Sequence, residues 1–131
     1  MASPNIVNVT SIIGTTTYLI PSGTTALVLL PNAAASGTVM KINKIVVANT
    51  NGAAANTTVA IYTNGAVAQG SAPSGGAAYA IVSAVAVPTA ASLIVVDKTT
   101  AIYLMEGTSI TVTSGTASAL TYTISYELIA S

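Results

Sequence analysis

The C-terminal part of the chain alternates apolar and polar residues with a period of two, which is the spacing of a half-buried β-strand. The alternation runs through residues 110–113, stops at the turn-forming residues 114–116, and returns in residues 121–126. An earlier turn signal, Glu106-Gly107, precedes both runs, and glycine takes the positive φ of a tight turn without steric cost. Residues 102–129 therefore predict three antiparallel strands, of which the last two form a closing β-hairpin.

Short apolar runs separated by Gly, Pro and Asn make up the rest of the chain, and no segment keeps a helical period. Residues 38–49 read as one long, imperfectly amphipathic strand with a bulge near Asn43. A regular strand would put Lys41 and Lys44 on opposite faces, and one of them would point inward unless a bulge or an edge position lets it reach water. The other predicted strands, the first of them ended by Gly14, cover residues 6–13, 15–20, 26–30, 58–62, 79–87 and 92–96. About eight or nine short strands with this punctuation predict an all-β chain, a single antiparallel β-sandwich of the jelly-roll type over residues 1–131.

Residues 65–77, GAVAQGSAPSGGA, contain four glycines and a proline and have almost no large side chain. They predict a long flexible loop, and loops of this length inside compact domains are usually functional or disordered. Two interpretations stay open for it, a mobile surface loop and a tongue that orders against a neighbouring subunit. Residues 1–5 read as a short N-terminal arm without the positive and apolar regions of a secretory signal, so we expect no such signal.

Charged side chains are scarce, because the 131 residues include only three lysines and three acidic residues, with a net charge of zero and no arginine. The surfaces of small soluble domains usually carry about a quarter or more charged residues, and a neutral surface promotes association. We therefore expect the chain to belong to an assembly. The alternative is that its many Thr, Ser and Asn residues hydrate the surface without charge.

The residue types that most enzymes use are missing or isolated. The chain has no histidine and no cysteine, so it lacks the usual general base, a thiolate nucleophile and the commonest metal ligands. Glu106 and Glu127 are the only glutamates, and nothing in the sequence places them together. Glu106 reads as a turn residue whose carboxylate accepts local backbone N–H groups, and Glu127 as a residue facing solvent on an edge or pairing with a lysine. We expect no enzyme activity, no cofactor and no metal site.

Nucleic acid and membrane are also unexpected partners. A nucleic-acid surface needs a basic footprint, which three lysines without arginine do not supply. Residues 77–96 carry no charge and are long enough to span a bilayer, but Pro88 interrupts them and no basic cluster or interfacial aromatic residue flanks them.

The two lysines of the long strand have two interpretations, an inter-subunit salt bridge and the protection of an edge strand against aggregation. We take five residues as candidate inter-subunit contacts: Lys41, Lys44, Tyr79, Glu106 and Glu127.

Several groups of residues, spread over most of the chain in a fixed order, carry a family resemblance. They are Ser11-Ile-Ile-Gly14, Val39-x-Lys41-Ile42-Asn43-x-Ile45-x-Val47-x-Asn49, Ile102-Tyr-Leu-x-Glu106-Gly107-x-Ser109-Ile110, Ala117-x-Ala119-Leu120 and Ser125-Tyr126-Glu127-x-Ile129. In these residues the chain resembles a family of small virion structural proteins of tailed phages, especially contractile-tailed phages of cyanobacteria. It departs from that family in having no arginine and in its Gly/Ser/Ala loop.

The resemblance implies a non-enzymatic component of the virion that is assembled in the host cytoplasm. The expected function is a capsid decoration or cement protein, a homo-oligomer such as a trimer that also contacts the major capsid protein. One alternative is a neck, tail or fibre component. Another is a carbohydrate- or host-surface-binding module, which would need an exposed aromatic platform drawn from the six tyrosines, Tyr18, Tyr62, Tyr79, Tyr103, Tyr122 and Tyr126.

Overall fold

The computed structural model describes residues 9–130, which form nine β-strands and one short 3₁₀ turn. The strands are β1 (Ser11–Leu19), β2 (Leu27–Asn32), β3 (Thr38–Asn49), β4 (Ala55–Tyr62), β5 (Ala78–Val87), β6 (Ser92–Val96), β7 (Ile102–Leu104), β8 (Thr108–Ser114) and β9 (Leu120–Ala130). The 3₁₀ turn, Lys98–Thr100, connects β6 and β7 and is capped by Asp97. Within residues 9–130 no helix has the length and apolar character to cross a membrane. The predicted arm, residues 1–5, and the beginning of the first predicted strand lie outside the described residues.

The strands form two antiparallel sheets that pack face to face. Sheet A has the order β1-β9-β3-β6, with β7 paired to the other half of β3, and sheet B has the order β2-β8-β4-β5. Most connections pass from one sheet to the other, so the chain winds around a single core as in a jelly roll. The predicted all-β jelly-roll sandwich is therefore confirmed.

The predicted C-terminal β-hairpin is wrong, although its two strands exist nearly as predicted. β8 pairs with β2 and β4 in sheet B, whereas β9 pairs with β1 and β3 in sheet A. The apolar residues of both strands, such as Ile110 and Tyr122, face the shared core from opposite sides. A period of two reports which face of a strand is buried and does not report which strand lies beside it.

The predicted break at Gly14 is also wrong, because β1 runs through this residue without interruption. The register with β9 is regular from Ser11, which pairs with Ala130, to Leu19, which pairs with Tyr122. Gly14 pairs with Glu127 in this ladder like its neighbours, so a glycine at this position does not mark a turn.

The core lies between the two sheets and contains no tryptophan or phenylalanine. Its largest fully buried side chain, Tyr122 of β9, reaches across to sheet B. Its hydroxyl donates to the backbone oxygen of Thr113 at 3.0 Å and lies 2.6 Å from the Thr57 hydroxyl. Because a phenol has a single proton to donate, the Thr57 hydroxyl is the donor in the second bond. The two bonds join the sheets inside the core.

We expect Tyr122→Phe to lower the free energy of unfolding by about 1–2 kcal/mol at neutral pH, since it removes two buried hydrogen bonds. Burial raises the pKa of the Tyr122 phenol. A pKa that is raised by folding gives stability that is complete below the unfolded value of about 10 and is lost as the pH rises through the folded value. The cost of the substitution should therefore shrink above about pH 10.

Urea unfolding of the wild type and of Tyr122→Phe across a pH series measures this difference. Tyr103→Phe is the matched control, because the Tyr103 ring is exposed, and we expect a change within about 0.5 kcal/mol. Burial also raises the pKa of Tyr126, but that effect is common to both proteins and cancels in the comparison. A cost of Tyr122→Phe that stays constant to high alkaline pH would contradict the prediction.

Two buried asparagines, Asn32 at the end of β2 and Asn49 at the end of β3, bind backbone groups of other segments. Asn32 donates from Nδ2 to the backbone oxygens of Leu104 at 3.0 Å and Thr38 at 3.2 Å, and its Oδ1 accepts from the Ser36 hydroxyl at 2.7 Å. Asn49 donates from Nδ2 to the backbone oxygens of Val87 at 2.8 Å and Ala53 at 2.9 Å. These side chains supply hydrogen bonds to backbone oxygens at or beside the ends of strands. Buried backbone groups need such partners.

Candidate interaction surface

Lys41 and Lys44 lie on the same outer face of sheet A. The register between β3 and β9 shifts between Ile42 and Lys44, so that Asn43 is an extra residue in β3. Ile42 and Ile45, on either side of this shift, are both fully buried in the core. Their neighbours Lys41 and Lys44 therefore both point away from the core. The predicted bulge near Asn43 is confirmed, and it is what brings the two lysines onto one face.

Glu127 is the cross-strand neighbour of Lys41 on the same face. The two residues are directly paired in the ladder between β9 and β3. The Glu127 carboxylate accepts a hydrogen bond from the Asn43 side chain, with Nδ2 and Oε2 3.0 Å apart. Glu127 is therefore not on an edge, because β9 has β1 on one side and β3 on the other.

Three adjacent rows of outward-facing residues cross sheet A and form the surface that we call the A face. The ladder registers define the rows as Gly14, Glu127, Lys41 and Tyr103, then Thr16, Ser125 and Lys44, then Tyr18, Thr123, Val46 and Ile94. Within the middle row the Thr16 and Ser125 hydroxyls are hydrogen-bonded at 2.8 Å. The A face thus combines hydroxyl groups, both signs of charge and large apolar side chains.

The large apolar side chains of the A face stand in solvent. Tyr18 is 72% exposed, Ile94 57% and Tyr103 47%. Gly14, in the same row as Tyr103, contributes no side chain, and a Cβ atom added to it would meet nothing within 4 Å. These three side chains lie on the outer strands β1, β6 and β7, around the polar centre of the A face.

The part of the outer face of sheet B that is formed by β2, β8 and β4 is covered by the chain itself. Val28, Ala60, Ser109 and Thr111 are buried although their ladder positions point away from the core. The segment after β4, residues 63–77, runs over this face. The Ser109 hydroxyl donates to the backbone oxygen of Asn64 at 3.0 Å. The outer side of sheet B is therefore packed around β2 and β8, whereas most of the edge strand β5 stays exposed.

The same segment pairs with the free edge of β2. The backbone N–H of Val28 donates to the oxygen of Ser71 at 2.9 Å, and the N–H of Gly70 donates to the oxygen of Val28 at 2.8 Å. Gln69 then reaches the edge strand of the other sheet, where its Nε2 donates to the Thr17 hydroxyl at 3.0 Å. The loop predicted at residues 65–77 thus contacts its own domain at the corner between β1 and β2.

The other two candidate contact residues lie apart from the A face. Tyr79 is on β5, the edge strand of sheet B, and its ring is exposed. Glu106 lies in the turn between β7 and β8, where Gly107 has a φ of 77°. Its Oε2 accepts from the backbone N–H of Gly37 at 3.1 Å, a residue of the turn before β3, so the carboxylate's partner is distant in sequence. The structure therefore brings together Lys41, Lys44 and Glu127 and leaves Tyr79 and Glu106 elsewhere.

The exposed tyrosines do not form one aromatic platform. Tyr18 is on β1 and Tyr103 on β7, at opposite sides of sheet A, and Tyr79 belongs to the other sheet. Tyr62 and Tyr122 are buried. No group of three or more acidic residues that could hold a metal ion occurs within residues 9–130.

Sequence reasoning named Tyr18 only as a candidate for an aromatic platform and did not single out Ile94. A signal was available in residues 15–20 and 92–96, because large apolar side chains stand there at neighbouring positions, and neighbouring side chains of a strand point to opposite faces. One of each pair must then face away from the core.

Comparison of the chain with models of known protein families, with curated proteins and with solved structures gives no match.

Proposed function

We propose that the chain is a non-enzymatic structural protein of a phage virion, a capsid decoration or cement protein that stabilises the shell through contacts between subunits. The observation that carries the proposal is the A face, which presents exposed Tyr18, Ile94 and Tyr103 beside charges of both signs. A surface of this kind favours burial against a protein.

Three further features agree with the proposal. The jelly roll is an architecture of viral capsid proteins as well as of lectins and cupins, so the fold agrees with the proposal without selecting it. The family resemblance described above points to virion components among these classes. The near absence of charge outside the A face, with the remaining Asp97, Lys98 and Glu106 in turns, also favours close packing among many copies.

The proposed mechanism is mechanical. Each copy would bury apolar and hydroxyl-bearing surface against its neighbours, and many small interfaces together would resist the outward pressure on a filled shell. The A face is suited to one such contact. The exposed, uncharged edge strand β5, which carries Tyr79, is suited to a second contact, for which the major capsid protein is our proposed partner.

Stoichiometry tests the proposal, because a shell component and a neck, tail or fibre component differ in copy number. Quantitative peptide counting on purified virions of the phage that encodes the chain measures this number relative to the major capsid protein. We expect a copy number equal to that of the capsid protein or a simple fraction of it.

A further inference from the structure

We propose that the A face packs against the A face of a second copy of the chain, about a twofold axis that runs along β3 and β9 and between them. This inference deepens the proposed function, from which it takes the expectation that copies of the chain associate. The surface in question consists of the three rows already defined. Val39 and Ile129, in the next row, are already buried and lie outside it.

The position of the axis follows from the strand order. β9 and β3 are the middle strands of sheet A, with β1 outside β9 and with β6 and β7 outside β3. A twofold axis between the two middle strands places β9 of one copy over β3 of the other, and β1 over β6 and β7. Two sheets that pack with their strands aligned to within about 30° are a standard arrangement of β-sandwiches. Because the axis is parallel to the strands, each row of one copy then faces the same row of the other copy.

The central charges become complementary in this arrangement. Glu127 on β9 and Lys41 on β3 stand at the same level. The twofold axis therefore brings Glu127 of each copy over Lys41 of the other, so that both interchain pairs unite opposite charges. Ser125 meets Lys44 in the middle row in the same way. A twofold interface requires such self-complementarity of a single patch.

The outer strands match by size. Tyr103 of one copy comes over Gly14 of the other, and Gly14 leaves room because it has no side chain and its surroundings are open to 4 Å. Tyr18 on β1 comes over Ile94 beside β3, which lies in the same row. Tyr18 and Ile94 thus gain an apolar neighbour, and Tyr103 enters the space that Gly14 leaves free.

The A face would make a small interface between two copies. Its three rows cross four strands spaced at about 4.8 Å and take up about five residues of each at about 3.3 Å per residue, which is roughly 300 Å² of plane area. Because a standard interface buries about 800 Å² on each partner, we expect a weak dimer. A chain with zero net charge also meets no overall repulsion from its own copy.

Charge reversal provides the test, with oligomeric state measured by sedimentation velocity over a concentration series. The wild type should form dimers. Lys41→Glu alone faces Glu127 of the other copy with a like charge, and Glu127→Lys alone does the same with Lys41. We expect each variant to dimerise about tenfold more weakly or worse. An equimolar mixture of the two variants should regain dimers, because a Lys41→Glu chain and a Glu127→Lys chain are complementary at both pairs.

The mixture separates this inference from effects inside one chain. Each variant keeps its own unfavourable cross-strand pair in the mixture, so regained association can only come from the contact between chains. Lys98→Glu, in the exposed 3₁₀ turn, is the charge-matched control and should dimerise as the wild type does. Gly14→Leu is a second variant that fills the place of Tyr103, and we expect it to be monomeric while its thermal unfolding stays close to that of the wild type.

A monomeric wild type would overturn the inference, as would dimers that persist in both single variants or a mixture that stays monomeric. These outcomes leave the virion proposal standing, since a monomer can still decorate a shell. Absence of the chain from virions, by contrast, would remove the virion proposal and leave the dimer intact.

Discussion

We expect Asn32→Ala to lower the free energy of unfolding by about 3 kcal/mol and the melting temperature by about 10 °C. The Asn32 side chain is 1% exposed and holds together the end of β2, the start of β3 and the end of β7. Alanine removes both donors, and the backbone oxygens of Leu104 and Thr38 lose their bonds to it. A buried acceptor left without a partner costs about 1–3 kcal/mol. Chemical unfolding measures the loss.

Asn51→Ala is the matched control, because it makes the same change at an exposed loop position, and we expect a loss within about 0.5 kcal/mol. Asn32→Asp gives a second reading. A carboxylate cannot donate, so the loss at neutral pH should be at least as large as for alanine. The buried carboxyl would have its pKa raised, so stability should recover as the pH falls and the group becomes a donor. A small, pH-independent effect of both substitutions would contradict the assigned role of Asn32.

We expect Gly65→Ala to detach residues 63–77 from sheet B and to cost about 1–3 kcal/mol. A Cβ atom on Gly65 would overlap the backbone oxygen of Asn32 and would lie 2.6 Å from that of Thr108. Both obstacles are backbone atoms of β2 and β8, which cannot rotate away as a side chain can. The loop must then move, and with it the hydrogen bonds that join Gly70 and Ser71 to Val28.

Hydrogen exchange of the backbone amides locates the effect. The amides of Val28 and Gly70 should exchange faster in Gly65→Ala, while those in the ladder between β3 and β9 stay protected. Gly52→Ala is the control, because an added Cβ there meets nothing within 4 Å. Unchanged exchange at Val28 and Gly70 would show that the loop is not held by the close approach of Gly65.

The fold class was predictable because it depends on local pattern. Alternation in β8 and β9 identifies the buried side chains, including Ile110 and Tyr122, and the turn residues mark where the strands end. The pairing of these strands was not predictable from the same pattern. The alternation is the same whether the connection between β8 and β9 turns back within one sheet, as in a hairpin, or passes from one sheet to the other. Gly115, whose N–H donates to the backbone oxygen of Asn56, lies at that crossing.

The interaction surface was predictable in part. The bulge at Asn43 could be inferred from the clash between charge and period in β3, and it alone puts Lys41 and Lys44 on one face. The covering of sheet B could not be inferred, since residues 63–77 are held mainly through backbone groups, which leave no side-chain signature. Asn32 reads in sequence as a residue that ends a strand, and only the fold shows that it is buried.

The copy number of the chain in purified virions tests the central claim most directly. Peptides of this chain and of the major capsid protein are counted against isotope-labelled standards in the same digest. The proposal of a capsid decoration protein predicts parity with the capsid protein or a simple fraction of it. A very small fraction would contradict the shell location and favour the neck, tail or fibres, and complete absence would contradict a role in the virion.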